Sequence, residues 1–513
     1  MPETIHKLPV KNATMQPRPF YSKHYDRPFI KKFKTASSCY IYDVNTNHLL
    51  KVDRVLYAIV DDIYRLSKTE IIQKWSTQFL DAELENSLKE LKYSIKRDRL
   101  FRRERPKELR PFGGRSIREK LKEPNGEHLI LNTTENCNLR CKYCLYSGRY
   151  TKQRVHSSKR MTKEVARRAL DFFIEKSSAI EEPHIGFYGG EPLLYLDLIK
   201  YCVSYAESKR PNTFQYGMTT NGTLLTPELT EYLTAHNFNL LVSLDGPREV
   251  HDSYRVDKHN RGTWDRVLKN LKLLHEKSKD YFESHVSISA VIATNRNMAR
   301  IQEFFEKHSL FSNRNVITSN LVYTRNALEF DDTDEKHNPQ VCGQRSVYNR
   351  CEETLLKKRK LTHFLEGMFQ REFMKIYNRE ICNGFDGGIH INGCCFPGQR
   401  RLFVNCRGDF YVCERLDNAF SLGSVDEGLV PKKVERLIDA YIKVSSSCLD
   451  CWAIRFCTKC YAGACVDGKI NKDFREAECE AFRHDFEKIL TLYQEVAEND
   501  FKAFDFLKKV TIS

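Results

Sequence analysis

The sequence predicts an α/β protein built on a partial (β/α)6 barrel of the TIM type. A winged-helix-like α+β domain precedes the barrel, and a cysteine-rich domain follows it. Three observations carry this. Six short apolar segments alternate with helical stretches between Leu129 and Leu321. Three short strand-like runs followed by three helical stripes occupy residues 27–97. Cysteines then crowd the stretch from Cys382 to Cys479. A chain of 513 residues has room for about three such domains.

Taken in order, residues 1–26 are polar, contain proline and show no periodicity, which predicts a flexible arm. Phe29–Phe33, Cys39–Tyr42 and His48–Val52 read as strands, with Asn45-Thr46-Asn47 supplying turn chemistry between the last two. Val55, Ile59, Ile63 and Leu66 then form one helical stripe. Ile71, Ile72 and Trp75 mark a second helix, and Leu80, Leu84, Leu88, Leu91 and Ile95 lie on a third. Residues 98–125 are rich in Lys and Arg and read as a basic linker.

The barrel is expected over 126–340. Its strands are Leu129–Leu131, Ile185–Tyr188, Phe214–Met218, Leu240–Ser243, Val286–Val291 and Val316–Leu321. Strand–helix alternation argues for parallel βαβ units. Six units are too few for a full eight-stranded barrel, and chemistry in such folds sits at the C-terminal strand ends. A helical connector is expected at 341–390, the cysteine-dense domain at 391–482, and a terminal helix over 483–513.

Composition narrows the function classes. No run of eighteen apolar residues occurs, so a transmembrane helix is not expected, and the N-terminus lacks the apolar core of a secretory signal. Eighteen cysteines are therefore expected in a reducing cytoplasm, where metal binding or chemistry outranks disulfides. The net charge of +15 suits nucleic acid, an anionic surface or an acidic protein partner.

Cys137, Cys141 and Cys144 follow directly on the first barrel strand with CxxxCxxC spacing. Three thiolates on one loop can hold three irons of a [4Fe–4S] cube and leave the fourth open. Zinc is the alternative, but it normally closes with four ligands in CxxC or Cys/His patterns. Here the chain resembles the radical SAM superfamily. That resemblance implies an open iron that binds S-adenosylmethionine (SAM), and a 5′-deoxyadenosyl radical that abstracts hydrogen. Gly189-Gly190-Glu191-Pro192 after the second strand is similar to the family's GGEP motif, whose backbone and Glu contact the methionyl ammonium. Thr220 and Asn221 follow the third strand. Ser243, Asp245 and Arg255 follow the fourth; by resemblance Ser243 lies near the ribose and Arg255 near the methionyl carboxylate. Together, Gly189, Gly190, Glu191, Thr220, Asn221, Ser243, Asp245 and Arg255 are the expected SAM contacts.

The later cysteines resemble a SPASM domain, which carries two auxiliary [4Fe–4S] clusters and brings the total to three. The match runs from Cys395 through Gly408 to Cys413, then through Cys448, Cys451 and Cys457 to Cys479. After Cys457 the family's three-residue spacing is absent, leaving Cys460 or Cys465, with Cys460 preferred. The resemblance implies Cys395, Cys413 and Cys460 for an inner cluster and Cys448, Cys451, Cys457 and Cys479 for an outer one. Cys382, Cys394 or Cys465 could complete the inner set, or its iron could stay open toward a substrate thiolate. Cys39, Cys202, Cys342, Cys351 and Cys406 are expected to pack as small apolar groups.

The α+β unit at 27–97 resembles the peptide-recognition element of ribosomal peptide maturases. That likeness implies a leader strand added at His48–Val52 against the third helix, with Lys89, Lys92 and Lys96 facing acidic leader residues. A winged-helix DNA module is the alternative, and nucleic acid is the less expected partner. The whole chain is thus similar to radical SAM/SPASM maturases of the sactipeptide and ranthipeptide type. These imply thioether bridging of a Cys-rich precursor peptide and an electron donor such as flavodoxin or ferredoxin. The same machinery could form carbon–carbon cross-links or, as a further alternative, the formylglycine of a sulfatase.

Overall fold

The computed structural model describes residues 26–111, 115–149, 153–292, 297–312, 316–320, 340–391, 393–416 and 418–509. The expected N-terminal arm falls outside this set apart from residue 26, as does the side chain of Cys342. The chain divides into two units, the first holding residues up to Arg105 together with Ile381–Phe385, the second the remainder.

In the first unit β1 (Ile30–Lys34), β2 (Cys39–Asp43) and β3 (His48–Val52) form an antiparallel sheet in that order. The β2–β3 turn is locked by Asp43, which is buried. It accepts from the backbone N–H and hydroxyl of Thr46, both at 2.8 Å, and from the N–H of Phe101 at 2.6 Å. Asn47 takes the left-handed conformation (φ 62°) that Asn tolerates, and its side chain accepts from the Tyr42 hydroxyl at 2.6 Å.

Three helices follow, Arg54–Ile59, Lys68–Trp75 and Asp81–Tyr93. Asp53 caps the first, and Ser67 with Glu70 forms a capping box on the second. Ile41, Leu56, Ile59, Ile71, Leu84, Leu88 and Leu91 close the core. The first helix is shorter than its apolar stripe implies. It ends at Ile59, while Ile63 and Leu66 reach the same core from turns. Leu100 and Phe101, inside the expected linker, are buried in this core as well.

The second unit opens with β4 (Glu108–Leu109), which pairs with β11 (Gly388–Ile389). A helix, Ile117–Lys122, follows, so much of the basic segment is held in structure rather than free. The barrel strands are β5 (His128–Thr134), β6 (His184–Gly189), β7 (Gln215–Thr220), β8 (Asn239–Ser243), β9 (Val286–Ile292) and β10 (Val316–Asn320). All six are parallel and adjacent in chain order, the expected (β/α)6 arrangement. Helices such as Lys163–Lys176 and Trp264–Lys277 cross between them, burying Ala166, Leu170, Phe173, Val267 and Leu271.

One edge of this sheet continues further than the periodicity indicates. β12 (Leu402–Val404) pairs in parallel with β5, setting Phe403 against Ile130. β13 (Asp409–Tyr411), β14 (Gly423–Ser424) and β15 (Gly428–Leu429) extend it antiparallel. The cysteine-rich region therefore shares a sheet with the barrel. The terminal helix also differs from expectation. It runs Lys472–Asp500, because the Asn471 side chain caps it by accepting from the N–H of Phe474 at 2.9 Å. Cys479 accordingly lies on the helix, which begins well before residue 483. Among the described residues no helix is long and apolar enough to cross a membrane.

Candidate active site

The Cys137–Cys144 loop leaves the end of β5 and is held there by Gly189, the last residue of β6, and by Gly190. A Cβ on Gly190 would meet the carbonyl oxygen of Asn136 at 2.0 Å, and one on Gly189 would meet that of Thr134 at 2.3 Å. Gly189 also has φ 147°. The space a side chain would need is filled by the cysteine loop, and the Gly190 and Glu191 amides donate to Thr134 and Asn136, each at 2.8 Å. Backbone N–H groups of Leu139 and Tyr146 point at the sulfurs of Cys137 and Cys144, both at 3.4 Å. Burial pushes both of these thiols up to about 12, and Cys141 also upward.

Glu191 is fully buried and ties two strand ends together. One carboxylate oxygen accepts from the Thr220 hydroxyl at 2.7 Å and the Leu193 N–H at 3.1 Å, the other from the Asn221 N–H at 2.8 Å. Desolvation raises its carboxyl to about 7 against the pull of those hydrogen bonds. Asn221 then reaches the cysteine loop, donating to Asn138 at 2.9 Å and lying 3.9 Å from the Cys137 sulfur. This tie between motifs is the role the structure shows for Glu191 and Asn221, and spacing alone could not reveal it.

The end of β8 supplies the opposite wall. Ser243 is buried there. Asp245, also buried, accepts from Arg255 Nε at 3.0 Å, from the Val291 N–H at 3.0 Å and from the Tyr143 hydroxyl. The Arg255 guanidinium lies 5.4 Å from the Tyr143 ring and close enough to Cys141 to favour its thiolate electrostatically. Behind them, His251 Nδ1 accepts from the Asp245 N–H at 3.3 Å, and its Nε2 sits 3.1 Å from the Thr263 hydroxyl, which donates to the Arg255 carbonyl. Burial lowers His251 to about 4, so the ring is neutral near pH 7. Neither Tyr143 nor His251 belongs to the expected SAM contacts, and their places at this wall follow from tertiary contact.

Two further thiol groups form in the cysteine-rich region. Cys394, Cys395 and Cys413 each lie within electrostatic reach of Cys460. Cys448, Cys451, Cys457 and Cys479 form the other group. Cys465 pairs in the short ladder β16 (Cys465–Val466) to β17 (Lys469–Ile470). Cys382 belongs to the first unit, where its amide donates to the Thr46 carbonyl. Arg475, which no motif marks, is 1% exposed and donates from Nη2 to the Cys448 sulfur at 2.7 Å. Its Nε and Nη1 have no hydrogen-bond partner.

Residues 131–307 match the model of the Radical SAM superfamily. The chain carries a radical SAM domain. It is 30% identical over 188 residues to a cysteine-type anaerobic sulfatase-maturating enzyme of Clostridium novyi, covering 35% of this chain and 47% of that protein. It is 28% identical over 189 residues to the radical SAM cyclopropyl synthase TigE of Paramaledivibacter caminithermalis, covering 33% and 39%. The chain thus spans less than half the length of these two relatives. Native anSMEcpe with bound AdoMet and Cp18Cys peptide shares the fold, with TM-score 0.53 and 19% identity over 73% of this chain and 98% of that one.

The residues of the radical SAM domain fit a [4Fe–4S] cluster with SAM. Backbone donors aim at cysteine sulfurs, a buried Arg255 faces Cys141, and the glycine pair admits the loop. The cysteine-rich region offers the same chemistry, since the unpartnered N–H groups of Arg475 lie in a thiol pocket that an anionic cluster would satisfy. Among the described residues, no group of three or more His, Cys, Asp or Glu is arranged around a single metal ion. A cube instead takes each thiolate on a separate iron.

Proposed function

We propose that this chain is a radical SAM enzyme that installs thioether cross-links in a ribosomally synthesised, Cys-containing precursor peptide. The observation that carries the reading is the first unit, with its three-stranded sheet in which β3 is one of the two edge strands, in a chain with a radical SAM domain. An edge strand offers backbone groups to an added strand. Residues 27–97 would serve as leader recognition, 126–340 as the radical SAM barrel and 391–482 as the SPASM domain. The peptide bound by anSMEcpe supports a peptide substrate.

When bound, the loop cluster and SAM supply a 5′-deoxyadenosyl radical for hydrogen abstraction. Cys137, Cys141 and Cys144 would hold that cluster. Gly189 and Gly190 fix the loop, and Glu191 locks Thr220 and Asn221 in place beside it. Asp245 orients Arg255, with Ser243 on the same strand end, so that the wall presents a fixed cation to the SAM carboxylate. Cys395, Cys413 and Cys460, with Cys394 as the fourth thiol, would hold the inner auxiliary cluster; Cys448, Cys451, Cys457 and Cys479 would hold the outer one. Flavodoxin or ferredoxin would supply the electron.

The named relative from Clostridium novyi favours one second reading, formylglycine formation in a sulfatase. The test is anaerobic incubation of reduced, reconstituted enzyme with a Cys-containing precursor encoded beside its gene. Thioether formation removes two hydrogens per bridge and leaves that thiol unable to alkylate. The same mass loss with every thiol still alkylated rules it out, and an aldehyde at Cys or Ser selects the second reading.

A further inference from the structure

The cysteine loop of the radical SAM domain is followed by a buried group of polar atoms that nothing above uses. Arg154 is 3% exposed. Its Nη2 donates to the carbonyl oxygens of Glu414 at 2.7 Å and Leu416 at 3.0 Å, which flank the segment just after Cys413. Aromatic rings enclose the guanidinium, with Phe403 at 4.4 Å, Tyr411 at 5.6 Å and Tyr146 at 5.9 Å. Nε and Nη1 make no hydrogen bond.

Nor does a carboxylate neutralise it. Among the described residues Arg154 forms no ion pair, and the nearby Glu414 carboxylate faces Arg401 at 3.4 Å and Arg415 at 3.9 Å. The Tyr146 hydroxyl and both ring nitrogens of His156, whose ring lies 6.2 Å from that of Tyr146, are also buried without partners. A buried guanidinium with three of its five N–H donors unmatched is costly unless a ligand completes it. Its planar fork suits a carboxylate held by two parallel hydrogen bonds.

Position says what would bring that carboxylate. Tyr146 stands two residues after Cys144, and Glu414 immediately follows Cys413. The guanidinium therefore sits between the loop of the radical-generating cysteines and that of the inner auxiliary cysteines. We propose that Arg154, with Tyr146 and His156, is a carboxylate-recognising subsite for the peptide substrate. It selects a peptide that presents an Asp or Glu side chain, or its own C-terminal carboxylate, beside the residue being modified. The inference rests on the peptide-modifying reading above.

The test measures binding, not turnover. Reconstituted full-length enzyme with SAM is titrated with fluorescein-labelled synthetic decapeptides carrying one Cys and one Asp at stepped distances. Asn twins of each peptide, and C-terminal acid and amide pairs, form the comparison arms. At one spacing or at the C-terminus the acid form should bind about tenfold or more tightly than its neutral twin, as a charge-assisted pair does. The ratio should collapse toward one in Arg154→Gln and stay intermediate in Arg154→Lys. Twins that bind alike to the unaltered enzyme at every position overturn the proposal, and that arm needs no variant to fold. So does an acid preference that survives Arg154→Gln, or a loss confined to SAM affinity. An acid preference here, together with a full-length precursor that is never modified, would sink the proposed function while leaving this subsite standing.

Discussion

Glu191 accepts a hydrogen bond at 2.8 Å from the backbone N–H of Asn221, thirty residues further along the chain. That bond, with the one from Thr220, joins the glycine motif after β6 to the end of β7. Glu191→Gln keeps the shape but replaces one acceptor oxygen by a donor that opposes an N–H group. Stability should fall by about 1–3 kcal/mol, the cost of a buried unmatched polar group. Chemical denaturation of the variant against the parent measures it, and an unchanged midpoint would show that the tie carries no stability.

Gly190→Ala tests the seating of the cysteine loop. The added methyl would have to occupy the place of a backbone carbonyl at 2.0 Å, so the loop must move. Reconstituted protein should lose the iron and sulfide of one cluster while the thiols of the cysteine-rich region stay loaded. Full iron content would place the loop cluster's support elsewhere.

Acid should destabilise the fold partly through His251. The ring must stay neutral to accept from the Asp245 N–H, and its folded value, about 4, lies below the ordinary value of 6.5. A histidine depressed in the folded state binds fewer protons there than when unfolded. Its stabilising share is therefore complete above about pH 6.5 and is lost as pH falls toward 4, amounting to roughly 3 kcal/mol. His128 and His184 are depressed in the same direction by burial and add to the slope. Melting temperatures of parent and His251→Gln across pH 4–7 should converge at the acid end; parallel curves would remove His251 from the account.

Arg475 should set the potential of the proposed outer auxiliary cluster. A cation at 2.7 Å from the Cys448 sulfur favours the more negative, reduced state. Arg475→Leu should shift that cluster's midpoint downward by on the order of 60 mV, with Arg475→Lys recovering part of it. Redox titration followed by electron paramagnetic resonance reads this directly. No shift would mean that Arg475 serves packing against Tyr441 alone, whose ring lies 5.2 Å away.

Much of this architecture was legible in the residues. The six barrel strands announce themselves because each is a short run bounded by turn residues and set between amphipathic helices. The cysteine spacings and the glycine pair are local patterns, and local patterns survive without a structure. What escaped was set by tertiary contact. β12 has three residues, too few for periodicity, yet it extends the barrel sheet. The early start of the last helix depended on the side chain of Asn471 acting as a cap. Arg475 and Arg154 occupy no motif, and their roles come from what surrounds them in space. The choice of Cys460 over Cys465 rests on spacing, and Cys394, Cys395 and Cys413 lie within electrostatic reach of Cys460.

On the proposed function, the Cys137–Cys144 loop generates the radical. Release of 5′-deoxyadenosine from SAM under anaerobic reduction tests it most directly. The parent enzyme should form the nucleoside, and a variant with Cys137, Cys141 and Cys144 all replaced by Ala should form none while retaining its auxiliary iron. Equal nucleoside from both proteins, or none from a fully iron-loaded parent, would contradict the account.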